Sequence, residues 1–230
     1  SISRPRVLLK TDPETGQRQE PIDEVFVDVD EEFSGAVIEA VTVRKGELLE
    51  MKPSGGGKQR LVFDAPSRGL IGYHGEFLTA TRGTGIMNRV FKGYAPYKGP
   101  IPGRRAGVMV SMEQGEAMAY ALQNLEDRGP LMVSPGDKVY SGMVLGEHNK
   151  GQDLEVNPLK SKQLTNFRAS GKDENVDLTP PIRMTLERAI AYIEDDELVE
   201  VTPKSIRLRK RYLDPHERKR MLKKSVQQSA

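Results

Sequence analysis

The stretch Val25-Phe26-Val27-Asp28-Val29 decides the fold of the first half of this chain. Three valines alternate with Phe26 and Asp28, which is the period-two pattern of a strand with one apolar face. Downstream the period changes. Phe33, Val37 and Val41 recur at helical spacing, and Gly46 ends that helix. Leu48 to Met51 reads as a second strand, closed by a turn at Pro53-Ser54-Gly55-Gly56-Gly57. A third strand runs from Arg60 to Ala65, with Leu61 and Phe63 on one face. Ser67 is placed to cap a second helix whose buried stripe is Leu70, Ile71, Phe77 and Leu78. Gly83-Thr84-Gly85 breaks that helix, and Ile86 to Phe91 reads as the last strand. Upstream, residues 4–10 read as a short strand that leads into a turn at Asp12-Pro13-Glu14-Thr15-Gly16. The order β-α-β-β-α-β predicts a ferredoxin-like domain of the α+β class, with both helices on one face of an antiparallel sheet. That fold hosts many functions and decides none.

Tyr94 to Gly103 holds Pro96, Pro100 and Pro102 beside Gly93, Gly99 and Gly103, and reads as an interdomain linker. The expected domains are therefore 1–95 and 96–230. The second opens with a strand around Ala106–Ser111. An amphipathic helix follows on Ala117, Met118, Ala121, Leu122 and Leu125, stopped by Gly129. Short strands are expected near Leu131–Val133, Lys138–Tyr140 and Val144–His148. Thr185 is placed to cap a helix carrying Leu186, Ala189, Ile190 and Ile193. Leu198–Val201 and Ser205–Tyr212 read as paired strands turning at Thr202-Pro203-Lys204, ahead of a polar, helical or frayed tail. The sum is a β-rich, barrel-like domain with helices.

The 230 residues suit one or two domains with a real core. The formal net charge is only +2, so no global field argues for a polyanionic partner. Its distribution says more: residues 194–200 are acidic, and residues 203–224 are strongly basic. The chain has no cysteine, which excludes disulfides and thiolate metal sites and suits a reducing cytosol. No apolar run approaches the roughly 20 residues of a membrane span. A start at Ser1 on Arg4-Pro5-Arg6-Val7 reads as a piece of a longer protein, or as a processed start.

Catalytic signals are weak. Gly55-Gly56-Gly57-Lys58 invites a phosphate-loop reading, but Gln59 replaces the required Ser or Thr and a strand follows instead of a helix, so a hairpin turn is expected. His74, His148 and His216 are far apart, and none has the i, i+4 partner of a helical zinc site. His74 is expected to pack beside the buried stripe of its helix. No Ser-His-Asp set is legible. Glu194-Asp195-Asp196-Glu197 could attract a cation, but such a run more often marks a solvated helix end. No catalytic or metal site is expected.

Two basic features stand out. From Asn157 to Lys172 the chain carries Lys160, Lys162, Arg168 and Lys172 with no acid, among Ser, Thr and Asn. A long irregular segment in a compact domain is usually functional, and these side chains supply the charge and donors that phosphate and sugar contacts need. An RNA-contacting loop and a solvated loop both fit this composition. Arg207, Arg209 and Arg211 then alternate along a strand and share one face. Like charges in a row repel unless neutralised. Asp195, Asp196 or Glu200 could do that internally, and an RNA backbone could do it from outside.

Longer strings carry a family likeness. Glu20-Pro21-Ile22 through Val29, Gly46-Glu47-Leu48-Leu49-Glu50-Met51, Ala65-Pro66-Ser67-Arg68-Gly69-Leu70-Ile71-Gly72 and Thr84-Gly85 resemble domain V of elongation factor G and its relatives. Leu164-Thr165-Asn166-Phe167-Arg168-Ala169-Ser170-Gly171, Pro181-Ile182-Arg183-Met184-Thr185-Leu186-Glu187 and Asp195-Asp196-Glu197-Leu198-Val199-Glu200-Val201-Thr202-Pro203 resemble the C-terminal domain of the TypA/BipA translational GTPases. The resemblance implies a parent with an N-terminal GTPase domain, a β-barrel domain and a domain III, the last leaving a short lead at the start of this chain. It implies ribosome binding at the factor site and links to large-subunit assembly, stress response and virulence control. In the family the C-terminal loop touches the acceptor end of the A-site tRNA. Carried over, that loop runs from Lys160 to Lys172, with Lys160, Lys162, Arg168 and Lys172 as the leading contacts and Thr165, Asn166 and Ser170 adding hydrogen bonds. The first domain would lie near large-subunit rRNA. No GTPase motif matches this chain, so no enzyme activity and no cofactor are expected here, and GTP and Mg belong to the parent's G domain. The expected setting is a cytoplasmic monomer on the ribosome. The competing readings are a protein-interaction module that docks through its sheets without RNA, and a small enzyme.

Overall fold

The structure, a computed structural model, describes residues 1–161 and 177–228. The chain is α+β and divides into two compact units, Pro5–Gly103 and Ser1–Arg4 with Arg104–Ala230. Residues 96–103, which composition assigned to the second domain, pack with the first unit. The first four residues, expected to lead the first domain, pack with the second.

Strand β1 (Ile2–Ser3) belongs to the second unit, and β2 (Lys10–Thr11) opens the first. Residues 4–9 form no strand. β3 (Arg18–Asp30), α1 (Glu31–Val43), β4 (Glu47–Gly55), β5 (Lys58–Pro66), α2 (Tyr73–Ala80) and β6 (Ile86–Pro96) follow. The antiparallel order β4-β5-β3-β6, with β2 on the start of β3, is that of a ferredoxin-like sheet. Val25, Val27 and Val29 face α1 and α2 in one core with Val37, Val41, Leu61, Phe63, Tyr73 and Phe77. Each fully buried side chain of this kind stabilises the fold by about 1.5–3 kcal/mol.

The second helix departs from the sequence reading. Ser67–Leu70 is a single 3-10 turn, and Gly72 at φ 77° takes the left-handed region just before α2 begins. Ser67 does not cap a helix; its Oγ donates to Asp23 Oδ1 at 2.7 Å. The late start rotates the buried face: Tyr73 and Phe77 point inward, while Leu78 is exposed and Ile71 only half-buried. His74 is likewise exposed, with its ring against Phe77. Gly55, Gly56 and Gly57 all have positive φ and form the expected hairpin turn between β4 and β5.

The second unit contains β7 (Gly107–Ser111), β8 (Gly115–Glu116), α3 (Ala119–Glu126), β9 (Lys138–Val139), β10 (Val144–His148), β11 (Leu154–Val156), α4 (Leu186–Tyr192), β12 (Glu197–Val201), β13 (Ile206–Lys210) and α5 (Pro215–Gln228). β7 lies between antiparallel β10 and parallel β11, and all five of its residues are buried. Both of its faces are covered. Met109 packs with Leu122 of α3 and Leu145, and Val108 and Val110 pack with Ala189 of α4, Val199 and Leu208. A second sheet runs β1-β12-β13, and β8 pairs with β9. Bridges Leu131–Gly146 and Met143–Arg209 join these pieces. The expected barrel-like closure is absent among the described residues: three small sheets take its place. Thr185 does cap α4, its Oγ1 accepting from Arg188 N at 3.2 Å.

Candidate nucleic-acid interface

Lys160 lies at the end of a well-held segment. Val156 is buried and its carbonyl accepts from Met112 N at 2.9 Å. Asn157 Oδ1 accepts from Leu159 N at 2.9 Å, a local side-chain turn. The Pro158 carbonyl accepts from Met118 N, at the start of α3. Leu159 packs on the core beside Gly115, where an added Cβ would lie 2.9 Å from Leu159 Cδ1 and push that side chain aside. Lys160 itself is exposed. The chain returns at the other end of the same helix. Leu178 packs on that core, Thr179 N donates to Glu126 Oε1 at 2.7 Å, and Ile182 N donates to the Leu131 carbonyl at 2.7 Å. Eight-residue α3 is about 12 Å long, so the segment leaves near one end of a short helix and comes back near the other. Lys162, Thr165, Asn166, Arg168, Ser170 and Lys172 lie outside the described residues.

Arg207 and Arg209 lie on β13, whereas Arg211, expected on the same strand, falls just beyond its end at Lys210, and the three meet different neighbours. Glu200 stands directly across from Arg207 and meets both its Nη1, at 3.5 Å, and the Nε of Arg209, at 3.9 Å. Glu200 also accepts from the Tyr140 hydroxyl at 2.6 Å, and burial together with this carboxylate pushes the Tyr140 phenol up. Arg209 donates further to the Lys210 carbonyl and to Ser1 Oγ. Arg211 is exposed, with no carboxylate within 4.0 Å among the described residues. One acid thus serves two arginines, and the pair Arg207 and Arg209 keeps a positive excess. Neither Asp195 nor Asp196 joins it: Asp195 is exposed, and Asp196 Oδ2 bonds Lys210 Nζ at 2.9 Å. Helix α5 adds Lys219, Lys223 and Lys224, all exposed.

The opposite side of β13 holds a cluster that the sequence reading missed. Glu197 is fully buried, not a solvated helix end. Arg104 Nη2 and Nη1 bond its two oxygens at 2.8 and 3.0 Å, and Lys210 Nζ, 3% exposed, bonds it at 3.0 Å. Burial pushes the Glu197 carboxyl up, but the Arg104 hydrogen bonds and the Lys210 charge outweigh it and hold the group below the usual carboxylate range. Burial likewise works against the Lys210 charge, and Glu197 with Asp153 and Asp196 reverses the effect and raises it. The available signal was parity: Lys210 shares its strand face with Ile206 and Leu208, not with the arginines. No group of three or more His, Cys, Asp or Glu side chains suited to a metal occurs among the described residues. His148 is buried with Nδ1 against the Gln152 carbonyl at 2.5 Å, which is a packing role. No helix among the described residues is long and apolar enough to cross a membrane.

Comparison with known proteins assigns both halves. Residues 17–105 match the elongation factor G C-terminus, and residues 106–215 match the TypA/BipA C-terminal domain. The chain is 48% identical over 224 residues to the large ribosomal subunit assembly factor BipA of Bacillus subtilis, covering 97% of this chain and 36% of that protein. It is 49% identical over 221 residues to the factor of that name from Escherichia coli K12, and 48% identical to that of Haemophilus influenzae, covering 96% of this chain and 36% of each relative. The chain therefore spans about a third of the length of these relatives. With the two domains matched in this order, and about half of the residues identical across nearly all of its length, the chain belongs to the TypA/BipA family and corresponds to the C-terminal part of its members.

Proposed function

We propose that this chain is the ribosome-binding C-terminal part of a translational GTPase that acts in assembly of the large ribosomal subunit. The observation that carries the reading is the segment held at both ends of α3, which puts exposed Lys160 at the start of a run rich in cations. In this reading Lys160, Lys162, Arg168 and Lys172 meet phosphates at the acceptor end of the A-site tRNA, with Thr165, Asn166 and Ser170 as donors to sugar and phosphate. Arg207, Arg209 and Arg211 form a second, weaker contact with large-subunit rRNA, Arg211 foremost because no described acid meets it. GTP and Mg belong to a G domain in the parent, and this chain binds no cofactor of its own. The setting is the cytoplasm, as a monomer, with roles in stress response and virulence control following from the effect on ribosomes.

The names of the relatives support the ribosome as partner, since each is called a large ribosomal subunit assembly factor. The test is co-sedimentation of this chain with ribosomes at low and moderate salt, beside a Lys160→Ala/Lys162→Ala/Arg168→Ala variant. The reading expects salt-sensitive pelleting of the unaltered chain and a clear loss in the variant. Equal pelleting of both would remove the loop from the interface.

A further inference from the structure

A groove of about 490 Å³ runs along β13 on the second unit; of the residues in the RNA reading and the buried ionic cluster, only Arg207 lines it. Its volume lies within the roughly 300–1,000 Å³ of ligand clefts. The floor is apolar and rich in methionine: Met132, Met143, Met184 and Ile182. Methionine adapts its shape to different apolar guests. The charged residues that line it are Arg183, Lys204 and Arg207, and no acid lines it. Arg207 already meets Glu200, whereas Arg183 and Lys204 are exposed, with no carboxylate within 4.0 Å among the described residues.

The wall of the groove is a strand edge. β13 ends its sheet, with β12 on one side only. Thr202 N donates to the Ser205 carbonyl at 2.9 Å, which makes 202/205, and by alternation 200/207 and 198/209, the hydrogen-bonded pairs of the hairpin. The main-chain groups of Ile206, Leu208 and Lys210 therefore point away from β12. Lys210 N is used by the Gly142 carbonyl at 2.8 Å, beside the isolated bridge of Met143 to Arg209. The same antiparallel bridge turns the Leu208 carbonyl to Val144, so among the described residues the part of this edge without a pairing strand lies at Ile206.

We propose that this groove binds an extended, acidic segment of a partner protein, which adds as a strand to the edge of β13 at Ile206. Its apolar side chains enter the methionine floor and its carboxylates meet Arg183 and Lys204. Strand addition takes affinity from main-chain bonds and specificity from alternate side chains, and the groove supplies both an edge and an alternation of apolar floor and cationic rim. Single-stranded RNA fits less well, because no aromatic residue lines the groove to stack a base. The inference is independent of the loop's role in RNA binding.

The probe is a capped six-residue peptide of alternating Glu and Leu, titrated into the 230-residue chain while the amides of Ile182, Lys204 and Leu208 are followed by NMR. Saturable shifts at these three amides are expected. Arg183→Glu with Lys204→Glu should weaken binding by about tenfold or more, and a Lys/Leu peptide should not bind. The Glu/Leu peptide N-methylated on the face that pairs should also fail, and this arm needs no variant to fold. No shifts with the Glu/Leu peptide, or equal binding by its N-methylated form, would overturn the proposal. So would tighter binding of hexauridylate at the same amides, which would make the groove an RNA site.

Discussion

Among the described residues each unit buries one carboxylate completely, and the company each one keeps sets the two halves apart. In the first unit Glu20 faces a single cation, Arg68, and accepts from Lys98 N at 2.9 Å, beside a largely apolar core. In the second unit Glu197 gathers Arg104 and Lys210, with Asp153 and Asp196 on the lysine. The first unit is held mainly by a continuous apolar layer between sheet and helices. The second has two smaller apolar clusters on either side of β7 and a buried ion pair between β12 and β13, where the cross-strand pairs of the first unit, Asp28–Arg60 and Asp64–Lys92, have exposed cations. The difference suggests that the two halves respond differently to core truncation and to pH.

The sharpest way to break that comparison is to remove the buried carboxylate of the second unit. Glu197→Ala takes from half-buried Arg104 the carboxylate that holds it, leaves buried Lys210 to Asp153 and Asp196, and should cost about 3–5 kcal/mol. Hydrogen exchange should show the loss in the amides of β12 and β13, with β3 and β5 unchanged. Phe77→Ala is the mirror experiment, with a loss of about 3–5 kcal/mol from cavity formation read in β3 and β5. Equal loss in both units from either variant would mean that the halves do not unfold separately.

The pH dependence sharpens the same contrast. Glu197 titrates below its ordinary value in the folded chain, so its contribution is complete above about pH 4.3 and lost as pH falls through the lowered value. Lys210 titrates above its ordinary value, so its contribution is complete below about pH 10.4 and lost as pH rises further. Protection of β12 and β13 should decline at both extremes, and a profile that stays flat from neutrality to pH 3 would contradict the assignment of Glu197. A smaller effect is expected at Arg209, half-buried and 3.9 Å from Glu200. Arg209→Ala should cost under about 1 kcal/mol in thermal unfolding while weakening RNA binding. A larger loss of stability than of binding would make that side chain structural.

The legibility of the two halves follows the same physics. Val25, Val27 and Val29 announce a half-buried strand because an apolar core repeats with the period of its strands, and the whole β-α-β-β-α-β order followed from such periods. Ser67 misled because the left-handed turn at Gly72 delays α2, and a glycine gives no advance notice of its φ. In the second unit Val108, Met109 and Val110 are buried on both faces, so alternation disappears, and three-residue β11 left no pattern to find. Glu197 sits in an acidic run that reads as solvated; Arg104, 93 residues earlier in sequence, and Lys210 across the hairpin explain its burial. The Glu200 contacts, by contrast, answer half of the question raised by the arginine face, since Glu200 had been one of the three candidate partners.

The central claim is that cations of the loop beyond Lys160 hold RNA, and the salt dependence of binding to large ribosomal subunits tests it most directly. Each phosphate neutralised contributes about 0.7–0.9 to the slope of log affinity against log salt. The Lys160→Ala/Lys162→Ala/Arg168→Ala variant should therefore bind more weakly and with a slope shallower by about 2–3, while its unfolding stays within about 0.5 kcal/mol of the unaltered chain. Parallel slopes with equal affinity would contradict the claim and move the contact to the arginine face or to the first unit.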